Sequence, residues 1–210
     1  MALTILLTGF GPFPGAPSNP TGPLVAQLAR LRRPALADVR LLPHVFQTSY
    51  RAVDRDLPRL LAETKPDAVL MFGLSTRASS LRVETRARNA VTALVRDAER
   101  QEAVSTRILP GGPAALLFDV PAARLVLAAR QGRVAAVTSR DAGRYLCNYL
   151  SWRAIEAAAR PGGPIFTAFV HVPRLNPAGE WTMRDLLRGG EAILFATLKE
   201  TRRRRRMTQR

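Results

Sequence analysis

The chain has little cysteine, histidine or lysine and no long apolar run, and each shortage closes off a class of function. Cys147 is the only cysteine, so no internal disulfide can form and the thiol is either buried filler or a reactive group. The apolar run at residues 3–7 has no basic flank and stops at Thr8-Gly9. No later segment approaches the ~18 apolar residues of a membrane span. The expectation is a soluble protein, made and kept in the cytoplasm, with no membrane partner. Lys65 and Lys199 are the only lysines among 32 basic residues, set against 16 acidic ones. The net charge of +16 invites a nucleic-acid reading, because cations release counterions from a phosphate backbone. Yet the arginines are scattered, and so lopsided a choice fits coding bias as well as selected function. Their one dense block, residues 202–206, reads as the start of a solvated basic tail at 202–210, the one place a polyanion would bind.

At 210 residues and 47% hydrophobic composition, the chain can bury one sizeable core. β-like runs at 3–8, 39–43, 68–72, 134–139 and 165–172 alternate with helical patterns at 20–31, 49–63, 121–130, 142–159 and 183–201. That alternation predicts a single α/β domain over 1–201, three layers α/β/α around a twisted, largely parallel sheet. Asn19 and Pro20 read as N-cap and first turn of the first helix.

The opening segment TGFGPFPG follows an apolar run, as a phosphate-binding loop would. Its glycines are 9, 11 and 15, so the third is one place late for G-x-G-x-x-G, and Pro12 and Pro14 have no N–H to offer. A phosphate cradle is excluded. The loop presents Phe10 and Phe13, which are either core or a grip on something flat and mostly apolar.

In open α/β sheets, sites form beyond the carboxyl ends of strands. That rule selects four places: the Phe10–Phe13 loop, Gly73-Leu74-Ser75 leading to Glu84, Cys147, and His171 at the end of the last apolar run. Cys147 falls in the first turns of a helix, where free N–H groups favour a thiolate. A cysteine nucleophile needs a base and a group that orients the base. His171 and Glu84 are the natural choices, since His44, just past the second strand, lacks an obvious partner. The bland alternatives stay open: a structural histidine, and Glu84 as a surface ion pair among Arg82, Arg86 and Arg88 on the polar side of an extended stretch.

These residues are also where the chain resembles the pyroglutamyl peptidases (pyrrolidone-carboxylate peptidases), a family of cysteine peptidases. TGFGPFPGAPSNP is similar to the family's T-G-F-x-P-F-G-G…N-P-S loop, and residues 111–126 resemble its G-G-P-A-A…L-P loop and the helix after it. Residues 139–148, SRDAGRYLCN, match S-x-[STAD]-A-G-x-[FY]-x-C-N, and FVHVP at 169–173 matches F-[IV]-H-[IV]-P. The resemblance implies Cys147 as nucleophile, His171 as general base and acid, and Glu84 as orienting carboxylate. Phe13 and Tyr145 would bracket a pyroglutamyl ring, with Phe10, Asn19 and Leu74 nearby. Hydrolysis after an N-terminal pyroglutamyl residue through a thioester, N-terminally blocked peptides as substrates, homo-oligomers, and no cofactor or metal are implied with it. The chain departs from the family's G-Q-x-G-G-R at residues 73–78, where Leu74 stands for the glutamine and the glycine pair is lost. Two alternatives follow: a hydrolase of a different N-terminal acyl group, and a non-catalytic nucleic-acid binder on the same fold.

Overall fold

The computed structural model describes residues 2–13, 16–92, 95–101, 103, 105–175 and 180–208. Pro14 and Gly15 of the opening loop lie outside them. In chain order the elements are β1 Leu3–Phe10, α1 Thr21–Ala29, β2 Val39–Phe46, α2 Tyr50–Thr64, β3 Ala68–Leu74, β4 Leu81–Glu84, β5 Arg86–Arg88, β6 Ala115–Leu117, α3 Ala122–Gln131, β7 Ala136–Ser139, α4 Leu146–Ala158, β8 Phe166–Val172 and α5 Met183–Thr208. Six strands form one sheet in the order β2-β1-β3-β8-β4-β7, and β5 and β6 make a separate antiparallel pair. Within the large sheet every pairing is parallel except β4 with β8.

The fold is α/β with a mostly parallel central sheet, as the alternation of elements predicts. Near-continuous apolar sequence makes β1, β3 and β8 its centre, because strands covered on both faces cannot alternate with polar residues. One face packs Ile5, Leu70, Phe72 and Val170 against Leu24 and Leu28 of α1, Leu125 of α3, and Ile193 and Leu194 of α5. The other face packs Leu6, Val69, Met71 and Phe169 against Val53 and Leu57 of α2 and Leu146 and Leu150 of α4. Full burial of each such side chain stabilises the fold by roughly 1.5–3 kcal/mol before conformational entropy is subtracted.

Three expectations are corrected. The stretch 81–89 is not one extended arm with a polar face. β4 is an interior strand of the sheet and the chain leaves it at Thr85, whose amide still donates to the Ser139 carbonyl at 2.8 Å. Residues 202–208 are not a frayed tail, since α5 runs through them. Arg202 pairs with Asp38, Arg205 with Asp67, and Arg204 with both Asp119 and Glu200. Asp38 and Asp67 precede β2 and β3, so this end of α5 is fastened across the amino ends of the strands, opposite the candidate site. No boundary therefore falls at residue 202. Finally, His44 lies within β2 rather than past it, with Nε2 3.7 Å from Asp56 Oδ2 and its ring edge-on to Phe46.

Candidate active site

Four carboxyl-end segments converge on one face of the sheet. Gly73 of β3 and Arg82 of β4 are both register partners of His171 on β8. Register partners point to the same face, and Glu84, two residues after Arg82, returns to it. Glu84 is fully buried, and its Oε1 lies 2.8 Å from His171 Nδ1. Its other oxygen, Oε2, is buried without a hydrogen-bond partner among the described residues. Arg82 instead donates to the Ser139 hydroxyl and Arg86 to the Arg140 carbonyl. Glu84 is thus committed to the imidazole rather than to a surface arginine.

Cys147 reaches the same face from above as the second residue of α4. The helix starts at Leu146, not at 142, because Gly143 takes φ +79° and its amide closes a turn onto Asp141 Oδ1. This later start places the sulfur in the first helical turn, where amides have no intrahelical acceptor. Asn148 fixes the turn, accepting from the Arg88 amide and donating to the Arg88 and Ala90 carbonyls at 2.8–2.9 Å. A side chain at residue 73 would destroy the arrangement. Its Cβ would lie 2.7 Å from Cys147 Sγ and 2.6 Å from a ring carbon of Phe169. Only glycine lets the sulfur settle against β3.

Cys147 Sγ lies over Gly73, the register partner of His171, and so beside the imidazole. Burial alone would lower the histidine's pKa. The neighbouring Cys147, followed by Glu84, outweighs burial and pushes it from 6.5 up to about 9. Near neutral pH this imidazole therefore holds its proton. Sulfur, imidazole and carboxylate lie on one face of the sheet, the sulfur over Gly73 beside His171 and the carboxylate bonded to His171 Nδ1.

Tyr145, the residue before α4, turns its ring toward Phe13, with centroids 6.2 Å apart. Its hydroxyl donates to the Arg96 carbonyl at 3.1 Å. Burial, then the charges of Asp97 and Cys147, push it up to about 12, so the phenol stays neutral.

The sequence model of the family described as pyroglutamyl peptidase matches residues 3–181. The chain belongs to the pyroglutamyl peptidase family. The pyrrolidone-carboxylate peptidase of Pyrococcus furiosus is 30% identical over 171 residues, 81% of each chain. That of Clavibacter michiganensis subsp. michiganensis is 35% identical over 203 residues, 93% of this chain and 92% of the relative. A solved structure of P. furiosus pyrrolidone carboxyl peptidase superposes with a TM-score of 0.87 at 26% identity, covering 95% of this chain and 100% of that one.

In this chain the sequence-predicted residues divide into two groups. Glu84, Cys147 and His171 come together, and Phe13 and Tyr145 stand beside them as a pair of rings. Phe10, Asn19 and Leu74 do not present side chains there. Phe10 is 3% exposed and packs on Phe46 in the core. Asn19 works on the loop itself, donating to the Gly11 carbonyl and accepting from the Thr21 amide and hydroxyl. Strand alternation puts Leu74 with Leu70 and Phe72, on the face away from Cys147. Sequence reading passed over Tyr50, whose ring is edge-on to both Tyr145 and Tyr149, and Asp97, which accepts from the amides of Tyr50, Glu99 and Gln101. Neither carries a local pattern that marks it.

Proposed function

We propose that the chain is a cysteine exopeptidase that removes N-terminal pyroglutamate from peptides, and that Cys147, His171 and Glu84 carry the reaction. The observation that carries this reading is the Cys147 sulfur set over Gly73, the register partner of His171, with that imidazole bonded to the buried Glu84, beside the Phe13–Tyr145 pair. The pyroglutamyl ring packs against those two rings. The Cys147 sulfur, its proton having passed to His171 Nε2, attacks the carbonyl carbon, and the amides of the first turn of α4 receive the oxyanion. Nδ1 of His171 is held by Glu84, which leaves Nε2 for the reaction. Nε2 gives its proton to the departing amine as the C–N bond breaks and a thioester remains. Water then enters, loses a proton to Nε2 and attacks the thioester, releasing pyroglutamate and restoring the thiol.

Substrate choice tests the reading. Amides of pyroglutamate, proline and an acetylated amino acid, each carrying a fluorogenic amine, are compared for kcat/KM. The pyroglutamyl amide is expected to exceed the prolyl one by about 10-fold or more, because a lactam carbonyl accepting one buried hydrogen bond contributes roughly 1–3 kcal/mol. Equal rates would replace this reading with a hydrolase of another acyl group. Leu74 gives that alternative no support, since its side chain faces away from Cys147.

The pH profile follows from the raised histidine. His171 must be protonated to deliver a proton to the amine, so acylation persists through pH 8 and falls as the pH rises through about 9. The same shift stabilises the fold fully below 6.5, a contribution lost as the pH rises through about 9. A steep loss of kcat/KM already at pH 7, in a fully folded sample, would show an ordinary imidazole and remove the raised histidine from the mechanism.

A further inference from the structure

Asp97 is a carboxylate only 1% exposed, and the reaction as derived above makes no use of it. Its Oδ1 accepts from the amides of Glu99 and Gln101, both at 2.9 Å, and closes the turn 97–101. Its Oδ2 accepts from the Tyr50 amide at 3.2 Å. Tyr50 is the first residue of α2, where an amide has no intrahelical acceptor and the helix end favours a negative charge. Three amides and a helix terminus thus offset the cost of burying the carboxylate. Burial raises the pKa of the Tyr50 and Tyr145 phenols, and the Asp97 charge raises each further, so the carboxylate lies near both.

The short segment around Asp97 is tied to both members of the Phe13–Tyr145 pair. On one side the Arg96 carbonyl receives the Tyr145 hydroxyl at 3.1 Å, and the Tyr50 ring stands edge-on to Tyr145 with centroids 6.0 Å apart. Asp97 is joined to the first by the chain and to the second by its side chain. On the other side the Ala98 amide donates to the Thr48 carbonyl at 2.8 Å, and the Thr48 hydroxyl donates to the Gly11 carbonyl at 3.0 Å, two residues before Phe13. Cys147 and His171 are held by different contacts, those of Gly73, Asn148 and Glu84.

We propose that Asp97 is a positioning residue for substrate binding: by tying residues 96–98 to the start of α2 it sets the Tyr145 ring against Phe13 at the spacing that receives the acyl ring. The inference rests on the pyroglutamyl reading above and deepens it, naming a residue that governs affinity for the ring without touching it. Loosening this tie weakens binding and leaves bond breaking in place.

Asp97→Asn isolates the tie. The one oxygen of asparagine still accepts from the two amides of the turn, whereas its NH₂ faces the Tyr50 amide, donor against donor. With a fluorogenic pyroglutamyl amide, KM is expected to rise about five-fold, within what one aromatic contact contributes, and kcat to stay within about two-fold of wild type. Alkylation of Cys147 by iodoacetamide, which needs no ring pocket, should keep its wild-type rate. Tyr145→Phe removes the hydroxyl bond to Arg96 and should also raise KM. The double variant should then fall short of the product of the two single effects, because both cut one chain of contacts. An unchanged KM in Asp97→Asn, a loss carried by kcat with slowed alkylation, or single effects that simply multiply would overturn the proposal. Failure of wild type to cleave the pyroglutamyl amide would overturn the reaction instead. The positioning is then decided by NMR of ¹³C-tyrosine protein, with Tyr145 assigned through Tyr145→Phe: its ring signals should move in Asp97→Asn, and unmoved signals would overturn the role whatever the substrate.

Discussion

Replacing Cys147 by alanine is expected to abolish hydrolysis of a fluorogenic pyroglutamyl amide, with kcat reduced by at least about 10⁴-fold. The size follows from the role, because loss of the nucleophile in a mechanism of this kind removes the whole covalent route and leaves only binding and oxyanion stabilisation. The fold should tolerate the change. Cys147 is only half-buried, and its sulfur rests against Gly73 at the edge of the cluster around Phe169 rather than inside it. A second readout is independent of turnover. The sulfur is the larger of the two influences that raise His171, so in Cys147→Ala the histidine should titrate well below about 9, followed through its ring protons by NMR. Substantial turnover by the alanine protein, or a histidine that titrates unchanged, would separate Cys147 from the chemistry.

The architecture was legible wherever local pattern and long-range packing agree. β1, β3 and β8 are apolar because both faces are covered, and the helices between them carry one apolar stripe each. Legibility failed where distant residues decide. The alternation of 81–89 runs on smoothly across Thr85, yet there the chain leaves the large sheet and joins β6, a change that hydrogen bonds to Ser139 and Phe118 make and local periodicity cannot encode. The arginines of 202–206 look like a solvated run because their partners, Asp38, Asp67 and Asp119, lie far away in sequence. With those partners in place, the same residues extend a helix.

The site shows the same division. Cys147, His171 and Glu84 were readable as chemistry-bearing residues near strand ends, and the family resemblance ordered them. Side-chain direction was not readable. Phe10 and Phe13 are equivalent in the string, but Phe10 ends β1 and turns inward onto Phe46, whereas Phe13 lies past the strand and reaches Tyr145. Leu74 sits at the expected rim, but a one-residue step along β3 exchanges faces, so its neighbour Gly73 is the position that touches the sulfur. A glycine's contribution here is the absence of a side chain, which no residue-type argument about catalysis would seek.

Glu84→Gln is expected to lower kcat by about 10²-fold or more while the protein stays folded. The comparison is with triads in which the orienting carboxylate becomes an amide: geometry survives, but the imidazole loses the partner that fixes its tautomer and stabilises its charged form. Glutamine keeps the shape of this fully buried side chain and removes only its charge, so the local packing is preserved. A purely structural glutamate would give the same modest activity loss at every pH. An orienting one leaves a specific trace, because removing the carboxylate takes away one of the two influences that hold His171 above 6.5. The alkaline limb of kcat/KM should therefore move down from about 9, toward the ordinary imidazole range. Glu84→Asp, which retains the charge at the cost of a longer reach to Nδ1, should recover part of the rate and most of the limb's position. An unchanged alkaline limb in Glu84→Gln would mean that the 2.8 Å contact does no more than pack the imidazole, and the orienting role would fall with it.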